Sequence, residues 1–175
     1  MSASHADRLD TRVHIRWMIR RDMPDVLRIE HGSDDHPWSE EDFLRCLRQR
    51  NCIGMVAEQG ERVVGFMIYE LHKTKLHILD FAVDPRCRRE SVGTQMILKL
   101  ASKLSSHRRT AITLEVRETN LAGQQFFRAA GFKATKVLRE RFDDTGEDAY
   151  LLQYRYAEPA EYEEAETAAL HHYDG

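Results

Sequence analysis

The chain has 175 residues and a mass of 20.4 kDa, which suits a single domain that buries roughly two thirds of its unfolded surface. Hydrophobic residues make up 42% and charged residues 31%, so global disorder is excluded, and no apolar run approaches the ~20 residues of a membrane span. The net charge of −3 conceals a split, because residues 157–175 hold six acidic side chains and no Lys or Arg, which leaves +3 on the rest. A net charge of only +3 on residues 1–156 is weak support for nucleic-acid binding. It is compatible with an anionic ligand bound at a single site. We therefore expect no nucleic-acid partner and no membrane partner.

The ends of the chain and its cysteines predict a cytoplasmic protein with loose termini. The N-terminal residues are polar, carry charges of both signs and lack the apolar centre of a secretory signal. Cys46, Cys52 and Cys87 form an odd, unpatterned set, which is typical of reduced thiols rather than of a disulfide framework. The expected segments are a loose leader (1–12), one domain (13–156) and a disordered acidic tail (157–175).

The first third of the domain carries one strand signal and two helix starts. Apolar residues alternate strictly over 13–19, which predicts a half-buried strand. Asp22 followed by Pro24 opens a helix, because Asp is a good cap and Pro is tolerated in a first turn. Ser39 starts a second helix, and its spacing from Asp42 resembles a capping box.

The remainder alternates between strands and helices. Helix 92–106 is amphipathic, and the strand over 110–117 places Ile112, Leu114 and Val116 on one face. The other predicted elements are strands at 52–58, 62–70 and 75–83, a helix at 120–130 that Gly131 ends, and strands at 132–141 and 150–156. The predicted element order is βααβββαβαββ.

The most informative segment follows the strand that ends at Asp84-Pro85. A loop with three arginines and a glycine leads there into the amphipathic helix. A helix N-terminus presents unpaired N–H groups and a partial positive charge, so this segment suits a pyrophosphate. The alternative is an ordinary strand–loop–helix turn whose arginines are solvated.

This segment resembles the phosphate loop of the GNAT superfamily of acetyltransferases. The family pattern is [Gln/Arg]-x-x-Gly-x-[Gly/Ala], and here it reads Arg88-Arg89-Glu90-Ser91-Val92-Gly93. More closely, the chain resembles the bacterial ribosomal-protein-alanine N-acetyltransferases, over about 13–156. The shared landmarks are Pro37-Trp38-Ser39, Ala82-Val83-Asp84-Pro85, Leu114-Glu115-Val116-Arg117, Asn120 and Gly131-Phe132. The resemblance implies an α/β (α+β) fold with a mixed, mostly antiparallel central sheet of about seven strands flanked by four helices.

The resemblance also implies roles for particular residues toward acetyl-CoA. The backbone at the end of the predicted strand 75–83 would follow the pantetheine arm, and the amides of the following loop would hold the pyrophosphate. Asn120 would contact the cofactor near its sulfur atom. The cofactor-binding residues implied in this way are Phe81, Ala82, Val83, Arg88, Arg89, Glu90, Ser91, Val92, Gly93, Thr94 and Asn120. Glu115 would be the general base, because an ammonium is no nucleophile until it is deprotonated. The alternative is a solvent-facing strand carboxylate, since Glu115 lies opposite the apolar face of its strand.

Two residues depart from the family pattern. Ser91 replaces the first loop glycine. If its backbone φ is positive, the side chain costs on the order of 1–2 kcal/mol, roughly a tenfold loss of cofactor affinity, whereas a negative φ costs nothing. Phe127 stands where the family has a Tyr that protonates the departing thiolate, a role typically worth ~10²–10⁴-fold. Arg141-Phe142 also departs from an aromatic pair of the nearest relatives, and Tyr150 is an alternative source of a hydroxyl.

These observations predict an acetyl-CoA-dependent N-acetyltransferase that transfers directly to an amine, most simply the N-terminal α-amine of a peptide or of a protein such as a ribosomal protein. Two alternatives stay open: a small-molecule amine acceptor, and a catalytically weak acyl-CoA-binding module. No metal site is expected, because the nine histidines form no ligand spacing. Acids in and around the second helix could meet a cationic amine, but acids at helix starts are common for dipole reasons; they are Glu30, Asp34, Asp35, Glu40 and Glu41.

Overall fold

A computed structural model describes residues 12–88 and 91–157 of the chain. The strands are β1 (His14–Trp17), β2 (Cys52–Gln59), β3 (Arg62–Leu71), β4 (Lys75–Val83), β5 (Ala111–Arg117), β6 (Lys133–Leu138) and β7 (Ala149–Arg155). The helices are α1 (Met23–Ser33), α2 (Glu40–Leu47), α3 (Val92–Ala101) and α4 (Leu121–Ala129), with short 3-10 turns before α1 and after β4. The predicted element order is confirmed, whereas nearly all of the predicted leader and acidic tail lies outside the described residues.

All seven strands form one sheet in the order β1-β2-β3-β4-β5-β7-β6. Neighbouring strands are antiparallel, apart from β4 and β5, which are parallel. The mixed, mostly antiparallel sheet implied by the resemblance is therefore confirmed. No helix in the described part of the chain is both long enough and apolar enough to cross a membrane.

Apolar side chains pack on both faces of the sheet. One cluster joins the sheet to α3 and α4 and includes Met96, Leu100 and Phe127. The other joins it to α1 and α2 and includes Ile29 and Phe43. The sheet therefore lies between two helical layers, which cover its faces.

The predicted helix caps are confirmed in position, but one works differently. The Ser39 hydroxyl accepts a hydrogen bond from Asp42 N at 3.2 Å, and Asp42 Oδ2 accepts one from Ser39 N at 2.9 Å, which completes the capping box. Asp22 immediately precedes α1, as expected. Its carboxylate, however, accepts two 2.8 Å hydrogen bonds from Arg16 and one from Ile19 N instead of capping the helix.

Three predicted elements are shorter than their patterns indicated, and one of them, β6, ends at Leu138 instead of residue 141. The first strand ends at Trp17, and the side chains of Trp17 and Ile19 are 69% and 46% exposed, because the chain turns there toward α1. Helix α3 ends at Ala101, although Leu104 beyond it is still buried, because the following residues leave helical geometry. Apolar spacing alone did not distinguish a helix from a buried loop.

The β4 strand leaves its parallel neighbour halfway along its length. Pairing between β4 and β5 runs from Lys75 to Ile78 and, within the described residues, continues no further. At the same point the pairing of β4 with β3 shifts by one residue, because Leu79 is an extra residue between Ile78 and Asp80. Such a β-bulge bends a strand, so residues 79–83 diverge from β5 and leave one backbone edge free.

Candidate active site

Two cavities meet at the free edge of β4. The acidic cavity, about 510 Å³, extends between α1, β4 and β5 and includes Glu30, Asp34, Asp80 and Glu115 in its wall. The loop cavity, about 470 Å³, extends along the end of β4 and the start of α3. Both are lined by Ser33, Phe81, Ala82, Asn120, Ala122 and Phe127. The fold therefore supplies two adjoining compartments, one on each side of the point where the strands part.

The loop cavity gathers most of the residues that were expected to bind the donor. Phe81, Ala82 and Val83 line it from β4, and Arg88, Ser91, Val92, Gly93 and Thr94 line it from the loop and the first turn of α3. Arg89 and Glu90 lie outside the described residues. The unpaired N–H groups of the first turn of α3 border the cavity and favour an anion there.

Ser91 has a left-handed backbone, with φ 64° and ψ 9°. This is the conformation that favours glycine, so the condition for strain at this position is met. Its carbonyl accepts the first helical hydrogen bond from Gln95 N at 2.9 Å, and its hydroxyl accepts another from Gln95 Nε2 at 3.2 Å. The strained residue is thus the one that turns the loop into α3.

A buried aspartate holds the base of this loop. Asp84 is only 2% exposed and meets three guanidinium groups, those of Arg28 at 2.9 Å, Arg62 at 3.3 Å and Arg86 at 3.5 Å. Its Oδ1 also accepts a hydrogen bond from Arg86 N at 3.0 Å. One of the three predicted loop arginines, Arg86, therefore has a structural partner, whereas Arg88 is exposed beside the loop cavity.

Close helix packing explains Gly93. A Cβ added at Gly93 would lie 2.9 Å from the ring of Phe126 and 3.4 Å from that of Phe81. These two rings are stacked with their centroids 5.6 Å apart, and both line the loop cavity. Glycine at this position lets α3 approach α4 without displacing that wall.

Asn120 lies where both cavities meet, but its carbonyl oxygen has a structural partner. Oδ1 accepts a hydrogen bond from Gly123 N at 2.9 Å and so caps α4, as predicted from the sequence. A Cβ at Gly123 would come within 2.6 Å of the Asn120 amide nitrogen. Asn120 is therefore held in place by the helix start, and only the rest of its amide is available to a ligand.

Glu115 reaches the acidic cavity from β5. It lies on the face opposite Ile112, Leu114 and Val116, which pack in the α3–α4 cluster as predicted. Its Oε2 accepts a hydrogen bond from Arg141 Nε at 2.9 Å. Sequence reasoning missed this partner, because Arg141 is 26 residues away and lies beyond β6. A proton transferred to Glu115 would weaken its attraction to this guanidinium.

Phe127 is buried where the two cavities meet. Its ring packs against Phe81, Phe126 and Phe132, with centroid separations of 5.7, 5.0 and 5.3 Å. A tyrosine hydroxyl at this position would border both cavities. Tyr150, the other hydroxyl considered from the sequence, instead lines a separate cavity between α4 and the β6–β7 pair.

Ion pairs connect the loop between β6 and β7 to the rim of the acidic cavity. Asp144 accepts hydrogen bonds from both guanidinium nitrogens of Arg117, at 3.1 and 3.0 Å, and lies 3.0 Å from His36 Nδ1. The Arg117 guanidinium also lies 3.8 Å above the ring of Phe142, which lines the cavity. These contacts join β5, the α1–α2 connection and the β6–β7 loop around one opening.

Two neighbouring carboxyl groups, those of the buried Glu30 and the half-buried Asp80, lie in the wall of the acidic cavity. Glu30 is 1% exposed, and its Oε2 accepts a 3.3 Å hydrogen bond from Trp38 N. Asp80 Oδ1 accepts one from Phe81 N at 2.9 Å. Among the described residues, the other two oxygens, Glu30 Oε1 and Asp80 Oδ2, are the buried side-chain atoms that lack a donor.

Burial governs the protonation of this pair. It raises the pKa of Glu30, and burial together with the neighbouring Glu30 carboxyl raises the pKa of Asp80 well above its usual value. A single proton shared between the two carboxyls would supply the missing donor. Glu30 was among the acids noted in the sequence, and its spacing from Val26 and Ile29 puts it on the buried stripe of α1, whereas no sequence signal marks Asp80.

Comparison with known proteins agrees with this geometry. Residues 14–132 match the Acetyltransferase (GNAT) family. The chain is 26% identical over 133 residues to the ribosomal protein bS18-alanine N-acetyltransferase of Escherichia coli, a match that covers 75% of this chain and 89% of that one. It is 28% identical over 123 residues to an N-alpha-acetyltransferase of Sulfurisphaera tokodaii, covering 63% and 73%. Among solved structures, Ard1 of Thermoplasma volcanium matches with a TM-score of 0.74 and 28% identity, over 83% of this chain and 99% of that one.

The family match extends over most of the sheet and over all four helices, and it includes the loop cavity and the lining of the acidic cavity apart from Phe142. The landmarks quoted from the sequence therefore have the structural context that the family requires: a strand end with a free edge, a turn into a helix N-terminus, and a second capped helix beside it. The chain belongs to the GNAT acetyltransferase family and is an acetyl-CoA-dependent N-acetyltransferase.

Proposed function

We propose that the acceptor is the N-terminal α-amine of a peptide or protein, as in ribosomal-protein acetylation, and that the acetyl group passes to it directly. The observation that carries the proposal is the acidic cavity, which opens beside the free edge of β4 and adjoins the loop cavity. An amine is positively charged near neutral pH, and carboxylates in a partly closed cavity attract it. The E. coli relative supports the choice of acceptor, because its name places the reaction on an alanine of a ribosomal protein.

Each cavity has a separate task in this proposal. The loop cavity holds the donor: the first-turn amides of α3 face its pyrophosphate, and the β4 edge near Phe81 and Ala82 faces its thioester. The Phe81 N–H already donates to Asp80, so Ala82 and Val83 are left to provide most of the backbone contacts. Asn120, fixed as the α4 cap, borders the sulfur end.

The chemistry then needs one proton acceptor on the other side. Glu115 takes a proton from the acceptor ammonium, directly or through a water, and leaves the free amine. The amine nitrogen forms a bond to the thioester carbonyl carbon, the carbon–sulfur bond breaks, and the proton lost by the new amide nitrogen neutralises the thiolate. Phe127 supplies no proton to that thiolate, so its departure is unassisted by a side chain at this position.

The test compares acceptors and variants in one assay. We expect the purified protein to acetylate a short peptide that begins with alanine more efficiently than spermidine or a free amino acid, measured as kcat/KM. The Glu115→Gln variant should lose ~10²-fold or more in kcat with little change in acetyl-CoA affinity. Glu61→Gln, at an exposed glutamate in the β2–β3 turn, is the matched control and should behave as the wild type.

The outcomes separate the alternatives. A preference for a small amine would replace the peptide acceptor with a small-molecule acceptor. Tight acetyl-CoA binding without turnover of either kind of acceptor would favour a binding module. An unchanged kcat in Glu115→Gln would remove Glu115 from the mechanism.

A further inference from the structure

The pair formed by the Glu30 and Asp80 carboxyl groups in the acidic cavity has a third member. Asp34, at the end of α1 and exposed to solvent, contributes an oxygen that lies within 4.8 Å of one oxygen each of Glu30 and Asp80. The three acids therefore form a group that is buried on one side and accessible from the cavity on the other.

The size of this group fits an ammonium nitrogen. Three oxygens that all lie within 4.8 Å of one another leave a point about 2.8 Å from each, and that is the length of a charge-assisted N–H···O hydrogen bond. An ammonium held by the three acids would lie beside Glu30 and Asp80, whose buried oxygens Oε1 and Oδ2 have no donor among the described residues. A buried acceptor without a donor is costly, so such a site favours a ligand that provides N–H groups.

The position of the group matches that of an acceptor amine. Asp80 immediately precedes Phe81 and accepts its N–H, so its carboxyl lies one peptide unit from the β4 edge where the two cavities join. Glu30 is fixed by its hydrogen bond from Trp38 N. The acids are therefore held beside the place where a donor and an acceptor would meet.

We propose that Glu30, Asp80 and Asp34 form the subsite that binds the positively charged amine of the acceptor and so select charged primary amines. The inference rests on the proposed function and assigns a task that differs from that of Glu115: the three acids bind the ammonium, and Glu115 takes its proton. When no amine is bound, the proton shared by Glu30 and Asp80 satisfies the same two oxygens.

The subsite can be tested by removing charge without changing shape. The variants are Glu30→Gln, Asp80→Asn and Asp34→Asn, with Glu41→Gln as the matched control, because Glu41 is an exposed acid in the first turn of α2. The probes are a short peptide with an N-terminal alanine and the same peptide with a hydroxyl in place of its α-amine, used as a competitive inhibitor. Acetyl-CoA affinity and melting temperature show that each variant is folded.

We expect the KM of the amine peptide to rise roughly 10- to 100-fold in Glu30→Gln and Asp80→Asn, as for the loss of a hydrogen bond to a charged group, with kcat within about threefold. The inhibition constant of the hydroxyl peptide should be unchanged, because it has no charge to recognise. Asp34→Asn should show a smaller rise, since its carboxylate is solvated, and Glu41→Gln none.

Three results would overturn the proposal: an unchanged KM in both buried variants, an equal loss for the hydroxyl peptide, or activity that EDTA abolishes and Mg²⁺ or Ca²⁺ restores. The last would make the three acids a metal site. If the wild type acetylates spermidine but not the peptide, the peptide acceptor fails, and the same variants are then tested with spermidine. If neither is acetylated, calorimetric binding of the peptide to wild type and variants, with CoA present, decides the question.

Discussion

The left-handed backbone at Ser91 makes a quantitative prediction about the phosphate loop. A Cβ at φ 64° costs on the order of 1–2 kcal/mol relative to glycine. Replacing Ser91 with glycine would remove this cost, but glycine loses more conformational entropy on folding, which takes back about 0.5–1 kcal/mol of the gain. The Ser91 hydroxyl adds about 0.5 kcal/mol through its exposed hydrogen bond from Gln95. Ser91→Gly alone would therefore give a small net change from wild type.

A comparison of Ser91→Gly with Ser91→Ala isolates the strain, because both lose the hydroxyl and only alanine keeps the Cβ. We expect the left-handed conformation at this position to cost the glycine variant about 1 kcal/mol less than the alanine variant. If the loop adopts this conformation before the donor binds, the difference appears as a melting temperature about 2–4 °C higher, with equal acetyl-CoA affinities. If the loop reaches it only on binding, the difference appears as about fivefold tighter binding of acetyl-CoA to the glycine variant.

Thermal unfolding and calorimetric titration of the two variants measure both quantities. Equal melting temperatures together with equal affinities would refute the reasoning, since no strain would then reside at this position. From the sequence alone, the cost was expected in cofactor affinity. The structure adds folding stability as a second quantity in which the strain can appear.

Three further predictions concern the junction of the two cavities. The pKa of Asp80 is raised in the folded protein, so its contribution to stability is full below the ordinary aspartate pKa of about 3.9 and is lost as the pH rises toward the raised pKa. The loss amounts to ~1.4 kcal/mol for each pH unit between the two pKa values. Asp80→Asn should remove it, which chemical denaturation at a series of pH values would measure. Phe127→Tyr should raise kcat by ~10²-fold, because a hydroxyl where the cavities meet can protonate the leaving thiolate. Gly123→Ala should bring no net gain in stability, although alanine in place of a helical glycine normally adds about 0.5–1 kcal/mol, because its Cβ displaces the Asn120 cap.

Each of these has a result that would count against it. Wild type and Asp80→Asn with parallel pH profiles would show that the carboxyl pair is ionised without cost, despite its burial and the nearby Asp34 carboxylate. An unchanged rate in Phe127→Tyr would mean that another group protonates the thiolate, or that none needs to. A Gly123→Ala variant that is more stable than wild type by about 0.5–1 kcal/mol would show that the Asn120 side chain can move without loss.

Local signals in the sequence predicted the elements well, because the forces that set them act over a few residues. The Ser39–Asp42 capping box, the Asn120 cap and the helix stop at Gly131, with φ 98°, were all readable from spacing. The strand that became β4 was placed with its observed bounds. The resemblance to the family then predicted that these elements form one mixed, mostly antiparallel sheet.

The electrostatic partners of the site could not be read in this way, because they join residues far apart in the chain. Glu115 meets Arg141 across 26 residues, and Arg28 reaches Asp84 across 56. The role of Asp80 was not predicted, because the flanking residues of its strand are mostly apolar and their pattern does not indicate that it faces Glu30. Only the folded arrangement brings such pairs together.

The extra residue in β4 links two properties of the enzyme that would otherwise vary independently. By shifting the alternation of side chains, Leu79 places Asp80 opposite Ile68, on the α1–α2 side, while the same shift parts β4 from β5 and opens the cleft. If β4 instead ran through Leu79 with regular alternation and no bulge, it would stay paired with β5 and close the cleft, and Asp80 would face the α3–α4 layer as Ile78 does. The bulge therefore sets both the width of the cleft and the position of an acid in its wall. A mutation that removes the bulge changes both at once, so the range of acceptors cannot easily be altered through one of them alone.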